Sequence, residues 1–124
     1  MEDGNRHRWL HGFLDSCILG LLSSGRDYGR GLSERIAEAG VDEVPGGTLY
    51  PALLRLEKQG LVRTDKVLST SGPPRKYYEL TDLGRAMHGD RQVAWRTFRA
   101  SMDLLIEGTT DPRPTRLPQS KDAR

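Results

Sequence analysis

Leu10, Phe13, Leu14, Cys17, Ile18, Leu21 and Leu22 recur at i, i+3, i+4, i+7, i+8, i+11 and i+12. That spacing paints a continuous apolar stripe on one face of a helix, the strongest periodic signal in the chain and the first constraint on its fold. Arg6 and Arg8 precede the stripe as basic residues precede the apolar part of a signal peptide. His11 and Asp15 interrupt it, however, and it is too short to span a bilayer, which points to a cytoplasmic protein. Ser23, Ser24 and Gly25 end this first helix.

Asp27 is placed to cap a second helix, with Tyr28, Leu32 and Ile36 inward and a stop near Gly40, although Gly29 and Gly31 weaken its first turn. Gly46 and Gly47 lead into Thr48, a good N-cap, and Pro51 then falls in the first turn of a third helix, where its missing N–H loses no partner. This helix runs to Gln59, and Gly60 supplies a left-handed stop. Leu61 to Leu68 and Lys76 to Leu80 read as strands flanking a polar tip of Ser69, Thr70, Ser71, Gly72, Pro73, Pro74 and Arg75. Thr81 and Asp82 cap a last long helix that continues to about Glu107, with Gly108 as terminator. Three helices, a hairpin and a long helix predict a mostly α chain with a small β hairpin. Residues 1–80 form the winged helix-turn-helix, 81–108 a C-terminal dimerisation helix, and 109–124, with Pro112, Pro114 and Pro118 among basic residues, a flexible tail.

A chain of 124 residues, 35% hydrophobic and 29% charged, has the composition of one small soluble domain, and one this short often completes its core by pairing with a second copy. In the last helix Trp95, Phe98, Met102 and Leu105 step by 3, 4 and 3, the rhythm of a helix that packs lengthwise on another. Cys17, the single cysteine, sits inside an apolar pattern and reads as a buried structural thiol. Nothing resembles a serine elbow, a cysteine with a placed histidine, a phosphate-cradling glycine loop or a carboxylate pair, so no enzyme and no cofactor are expected. His7, His11 and Asp15 share one helix face and His88 lies near Asp90, but chance explains such spacings better than a metal does.

The net charge of +2 permits a nucleic-acid partner without requiring one, so charge placement decides. On helical geometry the third helix buries Leu49, Ala52, Leu53 and Leu56 and turns Pro51, Leu54, Arg55 and Lys58 outward, with Tyr50 on the flank. Between Gly46 and Leu80 stand six basic residues, Arg55, Lys58, Arg63, Lys66, Arg75 and Lys76, against three acidic ones, Glu57, Asp65 and Glu79. Glu34, Glu38, Asp42 and Glu43 make the end of the second helix and its following loop acidic instead. A short basic helix of this kind fits the DNA major groove, and the Arg75 and Lys76 cations at a hairpin tip suit phosphates or a minor groove. Any one of these charges alone is more often ordinary solvated surface.

Gly47-Thr48-Leu49-Tyr50-Pro51-Ala52-Leu53, Arg55-Leu56-Glu57-Lys58 with Gly60-Leu61-Val62, and Arg75-Lys76-Tyr77-Tyr78 with Leu80-Thr81 and Gly84 closely resemble the PadR family of transcriptional regulators. The three blocks stand in order at the family's spacing, and the likeness covers about residues 10–108, with a single helix after the wing as in the shorter subfamily. It implies a bacterial homodimer that binds double-stranded operator DNA, usually as a repressor, often released by a small aromatic effector. Carried over, Thr48, Tyr50, Pro51 and Lys58 belong to the recognition helix and Arg75 and Lys76 to the wing, with Arg55 added from the outward face. Tyr77 and Tyr78 should face opposite ways by strand alternation.

Leu10, Trp95, Phe98, Met102 and Leu105 are the expected dimer seam. Trp95, with Phe13 and Phe98, has two competing uses, simple packing between helices or stacking on a planar ligand as in drug-binding relatives. The chain departs from the family where a Gly-Tyr pair opens the second helix, since Gly29 is followed by Arg30. Two other readings remain, a winged helix turned protein-interaction module and a DNA-binding regulator without an effector. The basic outward face favours DNA over the first.

Overall fold

The computed structural model describes residues 13–68 and 71–108. His7, Leu10, His11 and the expected tail 109–124 lie outside these. In chain order the elements are α1 (residues 13–22), β1 (Asp27–Tyr28), α2 (Gly29–Glu38), α3 (Gly46–Lys58), β2 (Val62–Val67), β3 (Arg75–Leu80) and α4 (Asp82–Glu107). The chain divides into two compact units, Met1–Gln92 and Val93–Arg124.

In the first unit α1 buries Leu14, Ile18 and Leu22, as its stripe requires, and Leu19 besides. Cys17 and Leu21 pack half-buried at the border of this core. Leu32 and Ile36 of α2 enter the same cluster, and the buried Ser33 donates its hydroxyl to the Val44 carbonyl at 3.1 Å, tying α2 to the loop before α3. Leu49, Ala52, Leu53 and Leu56 of α3 are at most 1% exposed. Each buried leucine contributes about 1.5–3 kcal/mol relative to an exposed one, so these four positions dictate how α3 is rolled.

Four local expectations need correction. Asp27 does not cap α2. Asp27 and Tyr28 are instead captured as a short strand by β3, pairing with Tyr78 and Tyr77, so the sheet has three strands in the order β1-β3-β2. The Asp27 carboxylate accepts the Tyr28 N–H at 2.8 Å and pairs with Arg35 at 3.1 Å. Thr48 is not the N-cap of α3 but a half-buried residue of its first turn. The cap is Pro45, whose carbonyl accepts the N–H of Thr48 and of Leu49, each at 2.9 Å. Pro51 consequently lies inside the helix, where its missing N–H leaves the Gly47 carbonyl without the usual helical donor. Arg75 belongs to β3 rather than to the tip, opposite Val67.

The end of α3, the strand alternation and the base of the hairpin agree with expectation. α3 ends at Lys58 and Gly60 takes a φ of 78°. Tyr78 and Leu80 face the core while Tyr77 is half-buried on the other face of β3. The Thr81 hydroxyl accepts the Gly84 N–H at 3.0 Å and donates to the Gly60 carbonyl at 2.6 Å, capping α4 and closing the hairpin base together. A side chain at Gly84 would collide with the Leu61 carbonyl, which explains a glycine in a first helical turn. In the second unit α4 leaves Val93, Leu104, Leu105 and Ile106 exposed, with Met102 half-buried and the Trp95 and Phe98 rings 6.1 Å apart.

Burial pushes the Cys17 thiol above its ordinary pKa, and burial followed by the charges of Tyr50 and Glu57 does the same to the Tyr78 phenol. Both groups keep their protons in the fold at a pH where the unfolded chain has lost them. Stability is therefore full below the ordinary thiol range and falls as pH rises through the unfolded thiol and phenol values. Denaturant titrations should show this alkaline loss, with Cys17→Ser removing its earlier part and Tyr78→Phe its later part. A flat profile across that range would contradict the burial of both groups. Gly84→Ala should lower Tm by several degrees, since forced overpacking costs about 1–3 kcal/mol.

Candidate nucleic-acid interface

With its apolar side sealed, α3 can only turn Tyr50, Pro51, Leu54, Arg55 and Lys58 to solvent, and all five are exposed. Tyr50 is held from behind. Its ring lies so close to Gly29 that a Cβ there would collide with the hydroxyl and ring carbons, so the glycine that weakens the start of α2 also makes room for an aromatic on the outward helix. Arg55 is held from the side by α1. Its Nη2 donates to Asp15 Oδ1 at 2.8 Å and its Nε to Oδ2 at 3.4 Å. The hydrogen bond and the charge of Asp15 raise the Arg55 pKa further. Asp15 was legible as an interruption of an apolar stripe and as a member of a chance His7, His11 and Asp15 face, and its role as a brace was not.

The sheet carries the second group of cations. Lys66 and Lys76 are direct cross-strand partners, so two like charges stand opposite each other on one face. Strand alternation puts Lys76 on the face of Tyr78, and its Nζ lies 5.7 Å from that ring. On the opposite face Arg75 lies 4.6 Å from the centre of the Tyr28 ring, Tyr28 meets Tyr77 edge-on at 5.4 Å, and Arg26 lies 4.9 Å from Tyr77. The result is a stack of two tyrosines flanked by an arginine at each end. β1 builds half of it, so this arrangement was beyond a two-stranded reading, and Lys66 was counted as basic without being singled out.

The carboxylates of this region are committed. Glu79 pairs with Arg63 at 3.4 Å, Asp65 with Arg26 at 3.8 Å, and Glu57 accepts the Thr64 hydroxyl at 3.5 Å. Lys58, Lys66, Arg75 and Lys76 make no ion pair with a described carboxylate. Four unneutralised cations on one helix and one hairpin are an electrostatic footprint for a polyanion. Tyr28, Gly29, Arg30, Tyr50, Arg75, Lys76 and Tyr78 line a cleft of about 360 Å³, and a second groove is lined by Leu14, Gly47, Thr48, Pro51 and Arg55. Among the described residues no three His, Cys, Asp or Glu side chains gather to hold a metal, and no helix is long and apolar enough to cross a membrane.

An exposed helix after a tight turn, flanked by a basic hairpin, defines a winged-helix DNA-binding protein. Residues 18–89 match the Transcriptional regulator PadR-like family. An uncharacterized protein of Lysinibacillus sphaericus is 32% identical over 101 residues, 80% of this chain and 93% of that protein. A PadR-like transcriptional regulator of Bacillus cereus superposes with a TM-score of 0.73 at 33% identity, covering 82% of this chain and 99% of its own. A PadR family regulator of Eggerthella lenta does so with a TM-score of 0.71 at 30% identity, over 82% and 88%. The chain belongs to the PadR-like family, and it is a DNA-binding transcriptional regulator rather than an enzyme.

Because the atoms a side chain at residue 29 would meet are the far end of Tyr50, that ring can yield by rotating. Gly29→Ala is therefore expected to leave Tm within a few degrees of the wild type while shifting the Tyr50 ring resonances in an NMR spectrum. Unshifted Tyr50 resonances would contradict the close approach.

Proposed function

We propose that the protein represses transcription as a cytoplasmic homodimer on a pseudo-palindromic operator. Thr48, Tyr50, Pro51, Arg55 and Lys58 of α3 meet the major groove, and Arg75 and Lys76, now joined by Lys66, grip the backbone from the wing. The observation that carries this reading is the set of four cations on α3 and the hairpin that pair with none of the described carboxylates. Opposed like charges such as Lys66 and Lys76 destabilise an isolated strand pair, and an anion between them relieves that repulsion. Asp15 orients Arg55 through Nε and one Nη and leaves the other Nη for DNA.

Pairing of two copies is supported by Trp95, Phe98, Met102 and Leu105 on α4, several of them exposed, with Leu10 and the partner's first and last helices as the opposing surface. The stepped apolar positions of residues 81–108 are those of a dimerisation helix, and a two-fold pair of recognition helices calls for a two-fold operator. The tilted, exposed Trp95 and Phe98 rings supply aromatic walls for a planar effector that releases DNA.

Selection of bound duplexes from random DNA, repeated with planar aromatic compounds present, tests the whole reading. On a selected duplex Lys58→Ala and Arg75→Ala should each weaken binding and reduce the salt slope by about one unit. Wild-type slopes in both variants would remove them as phosphate contacts. Truncation after Gly108 deletes none of the apolar positions of α4 and should leave a dimer in sedimentation. A monomer would refute the reading of residues 109–124 as a tail that dimerisation does not need.

A further inference from the structure

We propose that Arg30 completes a phosphate seat at the start of α2, where it holds a DNA backbone phosphate together with Lys76 of β3, with Arg75 on the other face of that strand adding to the local positive field. The proposal rests on the DNA-binding reading above and adds to it a residue and a ligand position. The cleft is lined by three basic residues and three tyrosines, with no carboxylate residue among the described residues of its lining. Like charges gathered in one concavity repel each other, and an anion is the ligand that such a cavity recognises.

Competing partners are weak. Among the described carboxylates Arg30 pairs with Glu34 alone, at 3.7 Å, and their side chains are 80% and 57% exposed, so solvent screens the pair. Arg75 and Lys76 rest against the faces of Tyr28 and Tyr78, contacts that position a cation without neutralising it. The volume of about 360 Å³ admits a phosphodiester. A guanidinium offers paired N–H donors matched to phosphate oxygens, which a neutral side chain at residue 30 would not. Tyr50 lines the same cleft from α3, so a phosphate seated there fixes the recognition helix in register along the duplex while carrying no base information.

The test uses Arg30→Gln, a change at an exposed side chain, on the duplex recovered by selection, with affinity followed against salt concentration. The variant should lose about 0.9 from the salt slope, which weakens binding roughly eightfold at about 0.1 M salt when the affinity extrapolated to 1 M is unchanged. Duplexes with one phosphate at a time replaced by neutral methylphosphonate locate the contact. One position should weaken the wild type by clearly more than it weakens Arg30→Gln, which keeps the remaining cation of the seat. A wild-type slope in Arg30→Gln, alongside reduced slopes in Lys58→Ala and Arg75→Ala, overturns the seat and spares the DNA-binding reading. A reduced slope with no such methylphosphonate position marks a diffuse field effect and also overturns the seat. Failure of the unaltered protein to select or bind any duplex overturns both.

Discussion

Leu49, Ala52, Leu53 and Leu56 are sealed beneath α3, against a core to which α1 contributes Leu14, Ile18, Leu19 and Leu22 and the hairpin contributes Val62 and Leu80. Once those four positions are inside, helical geometry leaves Tyr50, Pro51, Leu54, Arg55 and Lys58 no other place than the surface. Truncating one such leucine typically costs about 2–5 kcal/mol, a large part of the 5–15 kcal/mol by which a domain is stable. The functional face is thus only as well placed as the apolar one behind it. Neighbouring elements refine it, since the space at Gly29 sets the Tyr50 ring and Asp15 of α1 aims the Arg55 guanidinium.

Charge follows the same division of labour. Asp15, Asp65 and Glu79 each hold an arginine in place, while Lys58, Lys66, Arg75 and Lys76 are spared. Exposed ion pairs contribute little to stability, so the value of this arrangement lies in geometry and in which cations are left over. Aromatic rings position Arg75 and Lys76, where carboxylates would have cancelled them.

The element order, the buried face of α3, the Thr81 cap and the alternation of Tyr77 and Tyr78 were legible because each follows from a period or a cap written into adjacent residues. The missed features depend on partners distant in sequence. Asp27 has the chemistry of a helix cap, and only the capture of its backbone by β3, some fifty residues later, makes it a strand residue that salt-bridges Arg35. Thr48 has the same chemistry, but Pro45 accepts the first helical N–H groups three residues earlier, so the cap moves upstream. Arg55 was legible as outward, yet its brace lies forty residues away on α1. Lys66 was visible as a charge, and only the strand register brings it opposite Lys76.

That register also explains how folding and function are linked. Two lysines directly across a strand pair, with Arg75 next to one of them, destabilise the free hairpin by electrostatic repulsion. An interior-facing core residue would be selected against for such a penalty, but these lie where the hairpin projects beyond the buried Val62, Tyr78 and Leu80, so the core holds the strands together from the other end. A polyanion that binds only the folded form removes the repulsion and stabilises the fold by mass action. On the proposed DNA-binding reading the hairpin is least content in its free state and best satisfied against phosphate, and the apolar anchor at its base is what allows the charged end to be built that way.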